Sequence, residues 1–546
     1  VSSSTNPNQL YERASADKDS SIDFWGEVPQ SFQDAVNLAK KRYSSGDLRS
    51  ETNPERLRRL KEVLTEYHKE NGILTPAVRN NINKLDTGSI LVGQQPVLMG
   101  GPGFIGNKIA CLIHLTTLYN SDSDQKLAPI YFVGDYDGLQ KELARQYFPN
   151  PISHNAFIID SEDYLPEESD IAAHAAQLPP VEWLEEYLGK LEDNLRGFKS
   201  HLKGDKKKLF DERWDHIKTV LRTTLYDSET LSEWATRIWG IITNVIQDYG
   251  VVYLPTSHPE IRKLIAQDYL PFIQNSQLYA DTFQEAMNQL EKMGYEPTLP
   301  HRHADYAPFT LECEADSNRI TTTLVEKGGE YYAEGTCPAC DEFYSYKVST
   351  ADDLLQIATL IGPRVDSSQA VFQDLMNIRI RISGPGEIAY YSLAAPAVSA
   401  IGFEIPTFVK YKRAFYNATW IEELGKQLVN RDQGGLQQGE LFKILRQRTD
   451  AIKNGQPEEI REAEQEMKNF IDTQFEKLLE VGSVDSEKYL GWQYGRFTPQ
   501  KFGQEVSWIW FDMALQTGLT DYIGTYLRMY TPHSSLGGYF FINSLL

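Results

Sequence analysis

The chain has 546 residues, 41% hydrophobic and 24% charged, and no apolar run approaches the roughly 20 residues of a membrane span, so a soluble protein of three or four structural units without a membrane partner is expected. Fifty-four Lys and Arg against 76 Asp and Glu leave a net charge of −22, which argues against nucleic acid or anionic lipid as a partner and requires a local basic pocket for any anionic ligand. Four cysteines cannot form a disulfide framework in so long a chain, and residues 1–9 carry neither a basic start nor an apolar stretch, so the expected compartment is the cytoplasm.

Residues 1–87 are expected to form an N-terminal helical region, with Leu57, Leu60, Val63, Leu64 and Tyr67 at helical spacing. The first half of an α/β core follows over 88–178. Ser89-Ile90-Leu91-Val92 is a short apolar run, a glycine-rich loop covers 93–106, and a helical pattern runs through Lys108, Ile109, Leu112 and Leu115. A second apolar run at 129–133 stops at Gly134-Asp135. Strand, loop, helix, strand is the pattern of a parallel sheet with crossover helices. A helical insertion bearing Trp183, Trp214, Trp234 and Trp239 is placed at 179–249, and the core continues over 250–295 with a strand at 251–255. Residues 296–350 alternate as short strands and hold three of the four cysteines, which marks a small β module. The second half of the core covers 351–420. Over 421–546, Ile444, Ile452, Ile460, Met467, Ile471, Phe475 and Leu478 recur within dense charge, as in a coiled coil or long hairpin with its turn at 454–457.

The loop Gly100-Gly101-Pro102-Gly103-Phe104-Ile105-Gly106-Asn107-Lys108 contains a G-x-G-x-x-G at 101, 103 and 106. Glycines let backbone approach a phosphate, and the free N–H groups opening a helix favour an anion. The spacing departs from a dinucleotide fingerprint, because the acid closing the next strand, Asp135, lies 29 residues past Gly106 rather than within about 20 of the loop. A general nucleotide or substrate loop flanked by Gln94, Gln95 and Lys108 is the better reading; a tight turn without a ligand is the bland one. Asp135 and Asp137 sit just past a strand's carboxyl end, where they could hold an amine or a metal, or where one could cap a helix. Gly384, Gly386, Glu387 and Tyr390 repeat the strand, loop, helix logic and form a second wall. Lys410, Lys412 and Arg413 are either a phosphate-neutralising loop or a solvated basic turn.

Cys337-Pro338-Ala339-Cys340 has zinc-knuckle spacing in short β structure, which favours a structural zinc over a redox pair. Cys313 is the natural third ligand, and Asp316, His301 or His303 the fourth. Cys111 belongs to an apolar helix and is expected to be buried. Serine-hydrolase, P-loop and zincin motifs are missing from the sequence.

Leu91-Val92-Gly93-Gln94-Gln95, Gly101-Pro102 with Lys108, Gly134-Asp135-Tyr136-Asp137 and Gly384-Pro385-Gly386-Glu387-Ile388-Ala389-Tyr390 together resemble the bacillithiol-biosynthesis cysteine-adding enzyme family, in order from about residue 50 to beyond 480. The resemblance implies an α/β, Rossmann-like parallel sheet core akin to class I aminoacyl-tRNA synthetases, with a helical insertion and a C-terminal helical coiled coil that makes a homodimer. It implies an ATP-dependent ligase joining cysteine to the amine of glucosaminyl-malate. Phe104-Ile105-Gly106-Asn107 would occupy the place of the synthetases' HIGH signature, and Lys410, Lys412 and Arg413 that of their phosphate loop. Asn107 and Tyr136 stand where the family has histidine, and neither is a near-neutral acid or base. Those departures and the cysteine island, added to the core as a zinc-binding β module, mark a divergent branch. On this reading Asn107, Lys108, Asp135 and Asp137 carry the chemistry, and Gln94, Gln95, Gly101 and Gly103 line the nucleotide. A dinucleotide-dependent oxidoreductase and a non-catalytic coiled-coil interaction protein are the alternatives.

Overall fold

The computed structural model describes residues 6–17, 22–45, 53–150, 155–165, 169–200, 202–416 and 503–542, with isolated positions between 458 and 473. Its centre is a five-stranded sheet of β1 (Ser89–Gln94), β2 (Ala128–Val133), β3 (Val252–Pro255), β4 (Ile378–Ser383) and β5 (Thr407–Lys410). All four pairings are parallel, and the order is β5-β4-β1-β2-β3. Nearly every residue of these strands is buried, as expected of a parallel sheet covered on both faces. This is the doubly wound order, in which the direction of winding reverses between β1 and β4 and leaves a crevice beyond their carboxyl ends.

Helix α1 (Phe104–Ser121) follows β1 and packs on β1, β2 and β4, while α2 (Pro385–Ala400) follows β4 and packs on β4 and β5. Both are apolar on almost every face, because each is buried from both sides. Proline in the first turn of α2 costs no hydrogen bond, and the Glu387 carboxylate takes the Gly384 N–H at 2.8 Å.

Ahead of β1 the described residues include the helices Pro7–Ala16, Phe32–Ser45, Pro54–Glu70 and Pro76–Asn83. The insertion is helical as well, over Val181–Lys199, Asp205–Tyr226 and Leu231–Gly240. The cysteine-bearing strands form an antiparallel sheet, which Ile361–Pro363 joins beside Tyr306–Glu312, past residue 350. Two short antiparallel pairs between β2 and the insertion, Gly138–Leu139 with Ser169–Ala172 and Arg145–Asn150 with Asn155–Asp160, have no counterpart in the sequence reading.

The anticipated coiled coil lies largely outside the described residues. Residues 503–542 do not continue it: they return to the core as short helices and a strand, Tyr539–Ile542, paired in parallel with Arg413–Tyr416. The reason is aromatic density. Trp508, Trp510, Phe511, Tyr522, Tyr526 and Tyr530 are buried, and large aromatic surfaces gain more against the core than on a solvated hairpin. Among the described residues, no helix is long and apolar enough to cross a membrane.

Candidate functional site

The crevice between β1 and β4 is organised by Lys108. Its Nζ, reaching back from α1, donates to the Gly93 carbonyl at 2.9 Å, to Gln94 Oε1 at 3.1 Å and to Glu387 Oε2 at 2.6 Å. One ammonium thus ties the carboxyl end of β1 to the first turn of α2. The other Glu387 oxygen takes Arg381 of β4 at 2.9 Å. Burial works against the Glu387 charge, yet Lys108 and Arg381 hold its carboxyl below the usual range.

From Lys108 the hydrogen bonds run on across the strand ends. Gln94 Nε2 donates to Gln95 Oε1 at 3.3 Å, and Gln95 Nε2 to Asp137 Oδ2 at 2.9 Å. Glu387, Lys108, Gln94, Gln95 and Asp137 therefore form one continuous polar chain over β4, β1 and β2. Burial pushes the Asp137 carboxyl up from its ordinary value, opposed by Arg319, whose guanidinium lies 4.0 Å away, and by Gln95. Asp135 behaves differently. Its carboxylate is buried and accepts from Ser232 at 2.8 Å, Thr256 at 2.8 Å and the Ser257 N–H at 2.9 Å, so it fastens the helical insertion and β3 to the end of β2. The hydroxyls of Ser257 and Ser383, at the ends of β3 and β4, are buried and meet no protein partner among the described residues.

The glycine loop is clasped rather than open. The amides of Gly100, Gly101 and Gly103 donate to Val97, Leu98 and Trp508, and Trp239 and Trp510 donate their indole N–H groups to the Gly100 and Met99 carbonyls. These three amides are therefore taken by protein, not presented to a phosphate. Gly101 needs its glycine all the same, because its φ is +81° and a Cβ there would stand 2.8 Å from Val97. Asn107 is buried, donating to the Lys412 carbonyl at 2.7 Å and Glu505 at 2.9 Å and accepting from Tyr530 at 2.7 Å, so it joins α1 to the C-terminal segment. Lys410 is buried against Asn8 and Glu12, and Lys412 donates to the Ser535 and Gly537 carbonyls. Arg413 is half-buried beside Glu505. Gly386 has open space where a Cβ would stand, and Tyr390 packs on Tyr391 with ring centres 4.6 Å apart.

The second cluster lies in the antiparallel sheet. One donor atom from each of Cys313, Asp316, Cys337 and Cys340 falls within 4.8 Å of the others. Cys313 Sγ is 3.6 Å from Cys340 Sγ, and Cys337 Sγ is 3.6 Å from Asp316 Oδ2. A tetrahedral zinc with bonds of about 2.3 Å to sulfur separates its sulfurs by about 3.8 Å, so this donor set fits such an ion. The Asn318 N–H on Asp316 Oδ1 at 3.0 Å holds that carboxyl down at about 2, and an aspartate at neutral pH offers the ion an anionic oxygen. Of the candidates for the fourth position, Asp316 is in the group; His301 turns to Gln284.

A family profile described as "Bacillithiol biosynthesis BshC, N-terminal Rossmann-like domain" matches residues 23–410, well over half of the chain. The chain belongs to the BshC family. It is similar to proteins named "Putative cysteine ligase BshC" from Desulforamulus reducens, 22% identical over 364 residues, and Staphylococcus carnosus, 21% identical over 406. These matches cover 65% and 73% of this chain and 59% and 66% of the relatives, so the chain spans less than two thirds of their length. A third, from Bacillus licheniformis, is 19% identical over 429 residues, covering 77% of this chain and 73% of that one.

Within this BshC-family crevice several residues went unnoticed in the sequence. Arg381 had a signal, an arginine inside the buried apolar run Ile378–Ser383. His174 had none, standing in an alanine-rich stretch. Its Nε2 lies 2.9 Å from Glu312 Oε2, the other Glu312 oxygen takes Arg262, and its backbone N–H donates to the Asp135 carbonyl at 2.9 Å. Burial opposes the Glu312 charge, but His174 and Arg262 together keep its carboxyl below the ordinary range.

Proposed function

We propose that this chain is an ATP-dependent, amide-forming ligase that joins cysteine, or a related amino acid, to an amino-sugar acceptor such as glucosaminyl-malate in the biosynthesis of a bacillithiol-type thiol. The observation that carries the reading is the polar chain from Glu387 through Lys108, Gln94 and Gln95 to Asp137, placed at the switch point where open α/β sheets bind ligands. Family membership supports the reaction class.

In this reading a carboxylate oxygen of the amino acid attacks the α-phosphorus of ATP and pyrophosphate leaves. The acceptor amine then attacks the acyl carbon, AMP departs, and the amine gives up a proton. Lys108 and Arg413 supply positive charge at the phosphate end, and the buried hydroxyl of Ser383 offers a donor at the end of β4. Asp137 and Gln95 orient the amine at the other end, and Asp137, with its raised pKa, is suited to take the proton. Gly384, Gly386 and Tyr390 shape the wall, while Asp135 and Asn107 hold the scaffold. Positioning and charge stabilisation account for such chemistry without a dedicated histidine at 107 or 136.

The same proposal takes the protein to be a cytoplasmic homodimer, joined through its C-terminal coiled coil, with small-molecule substrates and no nucleic acid or membrane partner. The ion of the Cys313, Asp316, Cys337 and Cys340 cluster is zinc in a structural role. Amino-acid-dependent exchange of pyrophosphate into ATP tests the adenylation step. Exchange stimulated by cysteine supports it; none with any thiol-bearing amino acid, with or without acceptor, rejects it.

A further inference from the structure

Two of the metal donors, Cys313 and Asp316, lie on the tip of the hairpin formed by Tyr306–Glu312 and Arg319–Lys327. The residues flanking that tip, Glu312 and Arg319, stand opposite one another in the strand register. Both side chains leave the β module for the crevice. Glu312 holds His174 at 2.9 Å, and Arg319 lies 4.0 Å from Asp137. The backbone makes the same connection. The Ala172 N–H donates to the Ser317 carbonyl at 3.2 Å, and Ile171 bridges Asn318. The next two amides, of Ala173 and His174, donate to the carbonyls of Asp137 and Asp135 at 2.8 and 2.9 Å. Ser317 itself has a φ of +58°, which a non-glycine residue keeps only where its surroundings hold it.

We infer that the metal cluster is a positioning device for the crevice: the ion locks the tip at residues 313–318, and the locked tip sets Arg319 toward Asp137 and Glu312 on His174. The inference rests on the proposed metal site and on the ligase reading only for its second test. The physical reason is that the tip has little core of its own. Within it Glu314 and Ala315 are exposed and residues 316–318 only partly buried, and in small modules of this kind ligation supplies much of the local folding free energy. Glu312 and Arg319 act here as positioning residues.

The test compares amide hydrogen exchange in the zinc-loaded full-length protein with exchange after chelator stripping, alongside the Cys340→Ser variant. One zinc per chain is expected, and its loss should speed exchange about tenfold or more both at residues 313–318 and at the remote amides 172–174. A bound zinc whose removal affects only the antiparallel sheet overturns the positioning role. Failure to bind zinc under any loading overturns the metal site itself. As a second readout, Arg319→Ala should keep its zinc and raise the KM for acceptor about tenfold while leaving the KM for ATP unchanged, with Arg319→Lys recovering part of the loss. A parallel rise in both KM values contradicts the assignment.

Discussion

Lys108 of α1 and Glu387 of α2 meet at 2.6 Å beyond the ends of β1 and β4, where the winding of the sheet reverses. The lysine side chain is 4% exposed and the glutamate 15%, and Arg381 holds the second Glu387 oxygen at 2.9 Å, so loss of Lys108 leaves the Glu387–Arg381 pair in place whereas loss of the Glu387 charge strands buried cations. Lys108→Met is expected to lower stability by about 1–3 kcal/mol, through the Gly93 carbonyl and the Gln94 side chain left without their donor, and to abolish pyrophosphate exchange. Adding Glu387→Gln to Lys108→Met should lower stability further, because the buried Arg381 guanidinium then lacks its carboxylate, and should restore no activity. Urea denaturation and exchange assays on the same three proteins separate the two effects; exchange retained in Lys108→Met would show that Lys108 serves the fold alone.

Gln95 is the only described residue that hydrogen-bonds both Gln94 on β1 and Asp137 beyond β2. Gln95→Ala leaves the half-buried Asp137 carboxylate short of a donor, a loss of about 1.5–3 kcal/mol for a bond to a charged group. The expected outcome is an acceptor KM raised about ten- to a hundredfold with cysteine-stimulated exchange retained. Steady-state kinetics with acceptor varied at saturating ATP and cysteine provides the check.

The parts that the sequence disclosed were those with local signals. Alternating apolar runs and glycine loops gave β1, β2, β4 and the helices after them, and cysteine spacing gave the metal donors. Gln94, Gln95, Lys108, Asp137 and Glu387 could be named because each lies close after a strand end or in the first two turns of the helix that follows a strand. What the sequence withheld depends on contacts distant along the chain. His174 is brought to Glu312 by partners 138 residues apart, and Asn107 is occupied by Glu505 and Tyr530 across about 400 residues, contacts that no periodicity announces. For the same reason the glycine loop looked open: Trp508 and Trp510 close it from the far end of the chain.

Two buried carboxylates of the C-terminal segment give a pH dependence of stability. Burial pushes Glu505 and Asp512 up to about 7 each, with Arg413 and Asn107 opposing at Glu505 and Tyr416 at Asp512. Between the ordinary carboxylate range and pH 7 the folded state therefore binds more protons than the unfolded one, so these groups make stability fall as pH rises through that window, with no further loss above it. The slope approaches about 1.4 kcal/mol per pH unit for each group. Glu505→Gln should flatten the fall in Tm between pH 5 and pH 7.5 and be more stable than the parent at pH 8. Parallel Tm profiles for the two proteins would exclude Glu505 as a source.

Gly106 lies under the C-terminal aromatics, where a Cβ would come within 2.7 Å of the Tyr522 ring. Gly106→Ala is expected to lose about 1–3 kcal/mol through overpacking, despite the better helix propensity of alanine. Adding Tyr522→Leu to that variant should return part of the loss, as measured by denaturant midpoints. A Gly106→Ala protein as stable as the parent would mean that the 503–542 segment does not pack on α1 as described.

The central claim is that the crevice at the β1–β4 switch point forms an amide between an amino acid and an amino sugar. Its most direct test is mass spectrometry of the purified protein incubated with ATP, cysteine and glucosaminyl-malate. The account predicts a product with the mass of cysteine plus acceptor less one water, formed with AMP and pyrophosphate and lost in Lys108→Met. ATP left unconsumed and no condensed product with any thiol-bearing amino acid would contradict it.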